Sequence, residues 1–371
     1  MTSDFQNFMR DAGSLMRAGD LQAATAAIQA ALQGRASMPA AASPAAANAD
    51  VIDVEARVLP GTTAQPAAEP RAAHAGPAGS AAAAAPAEPA GRFTAGRFAD
   101  ASDGRDYKLY QPPGAAGRAL PLVVMLHGCT QNPDDFAAGT AMNALAREQG
   151  FYVLYPAQSS KANPQRCWNW FKHTHQQRGR GEPALIAGMT REVMAAHGID
   201  PQRVYVAGLS AGGAMAAILG HAYPDLYAAV GVHSGLAAGA AADLPSALAA
   251  MKSGAKGAGT PADAASGMPT IAFHGDADAT VHPSNAAQVM RSSVGAGAAS
   301  DRREVAGQRR ATVQQFRDAA GRVRGEQWTV HGAAHAWSGG NSAGSYADPA
   351  GPDASAEMLR FFLAHPKSPA A

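Results

Sequence analysis

The chain has 371 residues and a formal net charge of +1, enough length for one sizeable catalytic domain plus extra segments and no basic excess of the kind a nucleic-acid partner requires. Hydrophobic residues make up 47%, a figure inflated by alanine, and no run of about 18 strongly apolar residues marks a transmembrane segment. Two cysteines, Cys129 and Cys167, are too few for a disulfide scaffold. The opening Met1-Thr2-Ser3-Asp4-Phe5-Gln6 lacks the basic and apolar regions of a secretory signal, so a cytoplasmic location is expected.

Residues 1–34 read as a helical pair. Ser3-x-x-Gln6 resembles a capping box, and Phe5, Phe8, Met9, Ala12, Leu15 and Met16 recur at helical spacing. Gly19 stops the first helix, Asp20 caps the second, and Gly34 closes it after Leu21, Ala24, Ile28 and Leu32. Such a pair either docks on something or packs on the catalytic body, and an amphipathic stripe names no partner. Residues 35–91 are rich in Ala, Pro and Gly without an aromatic side chain, and read as a largely disordered linker.

From residue 92 apolar runs alternate with helical patterns. Strands are expected over Asp106–Gln111 and Leu120–Leu126, a helix over Pro133–Gln149, and a strand over Phe151–Tyr155. A long loop leads to a helix over Pro183–His197. A strand over Arg203–Ala207, a helix over Ala211–Tyr223 and a strand over Tyr227–His233 follow. After an irregular insert at 236–268 come strands at Thr270–His274, Thr312–Arg317 and Glu326–Val330, then a closing helix over Asp353–Leu363. This alternation predicts an α/β fold, a mostly parallel sheet covered on both faces, over residues 92–366.

Gly208-Leu209-Ser210-Ala211-Gly212 fits G-x-S-x-G between an expected strand and an expected helix. That context makes it a nucleophile elbow, which pushes a serine hydroxyl out of the sheet. The hydroxyl needs a base, and the chain order of this fold is serine, then acid, then histidine. His274-Gly275-Asp276-Ala277-Asp278 follows a buried strand, and the pattern H-G-x-x-D-x-x-V selects Asp278 over Asp276. Two histidines lie near the last strand; His331 continues it and reads as structural, so His335 in the following loop is the expected base. An oxyanion needs two backbone donors, one from the loop Leu126-His127-Gly128-Cys129-Thr130 and one from Ala211. Metal-ligand spacing is not seen, and the chemistry asks for no metal or organic cofactor.

The segments Leu126-His127-Gly128-Cys129-Thr130-Gln131, Cys167-Trp168-Asn169-Trp170-Phe171, Gly208-Leu209-Ser210-Ala211-Gly212-Gly213, His335-Ala336-Trp337-Ser338-Gly339-Gly340 and Gly351-Pro352-Asp353-Ala354-Ser355 together resemble the poly(3-hydroxybutyrate) depolymerase family of esterases. The resemblance implies the α/β-hydrolase fold, Ser210, Asp278 and His335 as the triad, and the Cys129 and Ala211 amides as the oxyanion hole. It implies a polyester of short hydroxyacids, or a smaller ester, as substrate. Trp168 and Trp170 then line the acyl groove or belong to the core; Trp337, beside His335, is grouped with them as substrate-binding. A Cys129–Cys167 bridge follows from the resemblance, whereas a cytoplasmic compartment favours free thiols; both stay open.

Secreted members carry an export signal and a further polymer-binding domain. Without either, the chain is expected to resemble intracellular members acting on amorphous polymer, with the N-terminal helices docking at a granule surface. Competing readings are a feruloyl or acetyl esterase of the same fold, an acyl transferase, and a non-catalytic granule-associated protein. Acyl preference, endo or exo cleavage and oligomeric state are not readable from the sequence.

Overall fold

The computed structural model of the protein describes residues 90–100, 103–255, 266–295 and 298–367. The chain divides into two units, Met1–Ala87 and Glu88–Ala371, and every described residue belongs to the second. The helical pair expected over 1–34 and nearly all of the linker expected over 35–91 lie outside the described residues.

Ten strands form one sheet: β1 (Arg92–Ala99), β2 (Gly104–Gln111), β3 (Leu120–Leu126), β4 (Tyr152–Pro156), β5 (Ile199–Leu209), β6 (Ala229–His233), β7 (Thr270–Gly275), β8 (Ala299–Val305), β9 (Ala311–Arg317) and β10 (Val323–Val330). Their order is β1-β2-β4-β3-β5-β6-β7-β10-β9-β8. The central six, β4-β3-β5-β6-β7-β10, pair in parallel, while β1, β2, β9 and β8 are attached antiparallel at the two margins. A short parallel pair, β11 (Trp337–Ser338) with β12 (Ala347–Asp348), lies apart from it.

Helices cover both faces: α1 (Pro133–Thr140), α2 (Met142–Gln149), α3 (Gly181–Ala196), α4 (Ala211–Ala222), α5 (Leu244–Ser253), α6 (Ser284–Val294) and α7 (Ala354–Leu363). The parallel strands carry unbroken apolar runs because each buries both its faces. Along β5, Val204 and Val206 join one core with Ile186 of α3 and Met215 of α4. Tyr205 and Ala207 point the other way, into a core with Phe136 of α1 and Met358 and Phe362 of α7. Tyr205 stacks on Phe362 with ring centroids 5.0 Å apart, a contact worth about 0.5–1.5 kcal/mol beyond its buried area.

The expected elements are present, with differences between and beyond them. The helix expected over Pro133–Gln149 is two helices, broken where Ala141 takes left-handed φ 52° and ψ 18°. The insert at 236–268 contains α5, capped by Asp243, whose carboxylate accepts from Ser246 N. Two marginal strands, β1 and β8, and helix α6 carry no apolar run of the kind that marks the central strands. β8, Ala-Ser-Asp-Arg-Arg-Glu-Val, is exposed along almost its whole length, and its charges suit an edge that must not pair further.

Candidate active site

In a parallel sheet the loops after the strands gather at one edge, and the candidate residues all come from that edge. Ser210 lies between β5 and α4, with φ 57° and ψ −118°. A non-glycine residue in that conformation is strained, a feature concentrated at functional turns. The strain is imposed by packing, because the start of α4 lies against the end of β3 backbone to backbone. A Cβ on Gly212 would sit 2.1 Å from Leu126 O, and one on Gly208 would sit 2.4 Å from the Gly212 carbonyl carbon. No side chain fits at either position, so the two glycines fix the elbow.

After β7, Asp278 turns its carboxylate toward His335, whose Nδ1 donates to Oδ2 at 2.7 Å. The Asp278 side chain is fully buried and His335 is 12% exposed. Burial pushes the Asp278 carboxyl up, but hydrogen bonds from His274 and His335, the charge of His335, and the Val281 N–H outweigh it, holding the acid well below the usual carboxylate range. Thr280 N and Val281 N both bond Oδ1 at 2.9 Å. The acid is thus ionised and fixed, and it presents one imidazole tautomer with Nε2 free to accept a proton.

The histidine loop and the elbow are tied together through His233, at the end of β6. Ser210 N donates to His233 O at 2.9 Å, and Ser338 N donates to His233 Nε2 at 2.9 Å. His233 is buried between Phe273 and Trp337, with which it stacks. Burial, with the neighbouring His274 and His335, pushes it down to about 3, so it stays neutral as an acceptor. Ser210 Oγ and His335 Nε2 have no hydrogen-bond partner among the described residues; the serine–histidine arm is open, as such arms often are before substrate closes them.

The loop after β3 supplies the other half. Ala211 N, in the first turn of α4, has no intrahelical acceptor, and among the described residues no acceptor meets Cys129 N. These amides are the two expected oxyanion donors. Their loop is held from several sides. Gly128 N donates to Gln131 Oε1 at 2.9 Å, Thr130 N donates to Gln165 O at 2.6 Å, and Cys129 is disulfide-bonded to Cys167. His127 donates from Nδ1 to Gly128 O and accepts at Nε2 from Gln158 N, so both ring nitrogens are occupied by shaping the loop. Burial pushes this imidazole down to about 4.

Beneath the loop lies a buried polar network that the sequence pattern gave no signal for. Glu182 of α3 accepts from Asn169 N, Asn169 Nδ2 and Gln158 Nε2. Burial raises its carboxyl, but bonds from His175, Gln158 and Asn169 prevail and lower it below the ordinary value. Gln158 also accepts from Arg105 Nε at 3.2 Å and donates to Cys167 O at 2.9 Å. The network therefore anchors the Cys167 end of the disulfide. His274 is a second unforeseen member of the site: its Nε2 lies 3.3 Å from Asp278 Oδ2 and 2.8 Å from Val281 O.

The three tryptophans expected at the substrate are buried. Trp168 is wholly enclosed and donates from Nε1 to His127 O at 3.1 Å. Trp337 is equally enclosed, donates to Ser355 Oγ at 3.1 Å and meets Phe136 edge-on. Trp170 is 5% exposed and packs edge-on against Phe171. Trp168 and Trp337 support site loops from below, because burying the indole contributes more than a solvent-facing ring would and its N–H finds an acceptor there. Of the two roles open to Trp168 and Trp170, groove or core, this burial favours the core, and it weighs the same way for Trp337, grouped with them as substrate-binding.

The arrangement resembles that of known esterases. The model of the family described as "Esterase PHB depolymerase" matches residues 105–315, more than half of the chain. Poly(3-hydroxyalkanoate) depolymerase C of Paucimonas lemoignei is 40% identical over 186 residues, covering 47% of this chain and 44% of that protein. Feruloyl esterase B of Thermothelomyces thermophilus is 35% identical over 128 residues, covering 34% of this chain and 43% of that one. The chain spans less than half the length of either relative. The acetyl xylan esterase of Aspergillus awamori shares the fold, with a TM-score of 0.52 at 18% identity over 73% of this chain and 99% of that one. The mostly parallel sheet, the elbow between β5 and α4 and the family match agree: the chain is an α/β-hydrolase and belongs to the Esterase PHB depolymerase family.

Proposed function

We propose that the protein is a serine carboxylic-ester hydrolase acting on poly(3-hydroxybutyrate) or its oligomers. The observation that carries the reading is the buried Asp278–His335 hydrogen bond at 2.7 Å, on the same sheet edge as the strained Ser210 elbow. A polyester reading is supported by the similarity to the Paucimonas lemoignei depolymerase.

The mechanism follows from the atoms available. His335 Nε2 takes the Ser210 proton as Oγ attacks the ester carbonyl, and the Cys129 and Ala211 N–H groups hold the developing oxyanion. His335 then returns the proton to the departing alkoxide, releasing the alcohol and leaving an acyl-serine. Water, deprotonated by the same imidazole, adds to the acyl carbon; collapse expels Ser210 Oγ, which recovers its proton, and the acid departs. Asp278 keeps the imidazole in one tautomer and stabilises its charged form. Amorphous polymer as the natural substrate, a cytoplasmic site of action and granule docking through residues 1–34 belong to the same proposal and rest on the sequence alone; the Cys129–Cys167 bridge weighs against a reducing compartment. Among the described residues no helix is long and apolar enough to cross a membrane.

A second reading, a feruloyl or acetyl esterase, is favoured by the similarity to feruloyl esterase B. The test compares hydroxybutyrate release from amorphous poly(3-hydroxybutyrate) granules by the intact protein and by Ser210→Ala. Release that vanishes in the variant is the expected result. Ser210-dependent cleavage of p-nitrophenyl butyrate with no release from granules keeps the esterase and removes the polymer.

A further inference from the structure

Among the described residues only two large hydrophobic side chains stand out into solvent, Tyr346 and Leu363. Single exposed apolar residues are ordinary, and Leu363, at the end of α7, is one. Tyr346 differs in three respects. It is 47% exposed although both its neighbours are tied down. It holds a left-handed φ of 51°, which a bulky side chain adopts only under constraint. Its hydroxyl lies 3.4 Å from Thr130 Oγ1, on the residue next to the Cys129 amide.

The surroundings account for the constraint. Ser345 N and Oγ both bond Asp135, at 2.8 and 2.5 Å, and Gln131 Nε2 donates to Ser345 O at 3.1 Å. The preceding Gly344 lies against Gly139, where a Cβ would come within 2.3 Å of Gly139 N. On the other side Tyr346 O accepts from Trp337 N at 2.6 Å, and Ala347 pairs with Trp337 in the β11–β12 ladder. Gln131 also holds Gly128, and Trp337 is two residues from His335. Tyr346 is therefore fixed between the oxyanion loop and the histidine loop, its ring half-exposed and its hydroxyl turned to Thr130.

A turn whose only duty was to cross at this point would be better served by Gly or Asn, which accept positive φ at little strain. An aromatic ring kept there against strain, at the lip of the carbonyl site, suits a flat apolar contact with substrate. We infer that Tyr346 is a specificity-determining residue, its ring holding the hydroxyacid unit adjacent to the scissile ester of an aliphatic polyester. This rests on the ester-hydrolase reading and adds to it the part of the site that distinguishes a chain from a small ester.

The test measures kcat and KM for the linear 3-hydroxybutyrate trimer and for p-nitrophenyl acetate, with the intact protein, Tyr346→Gly, Tyr346→Asn and Tyr346→Phe. Gly and Asn remove the ring while relieving the backbone strain, so a failure to fold is not built into the experiment. The expected result is a fall of about tenfold in the trimer-to-acetate ratio of kcat/KM for Gly and Asn, carried by KM. Phe keeps the ratio within about twofold, because the ring face makes the contact. A ratio unchanged in Gly and Asn, with the trimer still cleaved, overturns the assignment. So does a parallel fall on both substrates, which would make Tyr346 a support for the loops. An intact protein that cleaves p-nitrophenyl acetate and leaves the trimer untouched removes the polyester reading, and this assignment with it.

Discussion

Two aspartate–histidine pairs lie at the same edge of the sheet, made by the same two loops. Asp278 bonds His335 Nδ1 at 2.7 Å, and Asp276 bonds His331 Nδ1 at 2.8 Å. By distance they are equivalent. They differ in what surrounds them. In the first pair the acid's side chain is fully buried and the histidine is 12% exposed, against 41% and 35% for Asp276 and His331. Among the described residues His335 Nε2 has no hydrogen-bond partner, whereas His331 Nε2 meets Thr312 Oγ1 at 2.8 Å. Asp276 also accepts from Gly332 N at 2.7 Å. The outer pair is a brace that joins the loop after β7 to the end of β10. Water screens it, and both its ring nitrogens are occupied. A carboxylate–imidazole contact becomes a candidate acid–base device only where it is dry and one nitrogen is left open.

That contrast is most sharply tested by paired substitutions. Asp278→Asn is expected to lower kcat by about ten-thousandfold, since the amide favours the wrong imidazole tautomer. Asp276→Asn is expected to leave kcat within about threefold. Comparable losses in the two variants, measured on p-nitrophenyl butyrate, would erase the distinction.

The next largest effect concerns what keeps the inner region in place. The Cys129–Cys167 bridge closes a separation of 38 residues, and removing such a link typically destabilises by about 2–4 kcal/mol. The double variant Cys129→Ser with Cys167→Ser should show that loss in denaturant unfolding, together with reduced kcat from a looser oxyanion loop. Unchanged stability would mean that the buried network around Glu182 holds the loop alone.

Smaller again is a dependence on pH. His127 and His233 are pushed from 6.5 to about 4 and about 3, chiefly by burial. Their folded values lie below the unfolded ones, so their contribution is complete above pH 6.5 and is lost as pH falls toward 4 and 3. In that window the unfolded chain takes up protons that the folded imidazoles refuse, at most about 1.4 kcal/mol per pH unit for each histidine. The melting temperature of His233→Gln should accordingly fall less between pH 7 and 4 than that of the intact protein, and parallel curves would contradict the assignment. Least of all, His331→Gln should cost about 0–1 kcal/mol, the range for a screened surface pair. A larger loss in thermal unfolding would promote the outer pair from brace to keystone.

The central strands were legible because burial on both faces writes unbroken apolar runs, as in Leu120–Leu126. The margins were not. β8 is charged and β1 interrupts its pattern with Gly96, since an edge strand is shaped by solvent and by the need not to aggregate. The break at Ala141 left no mark because a left-handed alanine is set by tertiary packing rather than by local preference. In the site, Gly208-x-Ser210-x-Gly212 was readable because the glycines are sterically required. The pattern H-G-x-x-D-x-x-V selects Asp278 over Asp276, and loop position selects His335 over His331. The roles of His233, His274, Gln158 and Glu182 depend on contacts between distant segments, which no local motif encodes. Tryptophans near a motif look alike in sequence whether they face substrate or core; their burial in the folded chain tells them apart.

The claim on which the rest depends is that Ser210 is the activated nucleophile. The most direct measurement treats the intact protein with a fluorophosphonate ester and locates the covalent adduct by peptide mass spectrometry. A single adduct on Ser210 is expected, formed at a rate that collapses in His335→Ala. An adduct on another residue, or ester hydrolysis that persists in a protein left unmodified at Ser210, would contradict it.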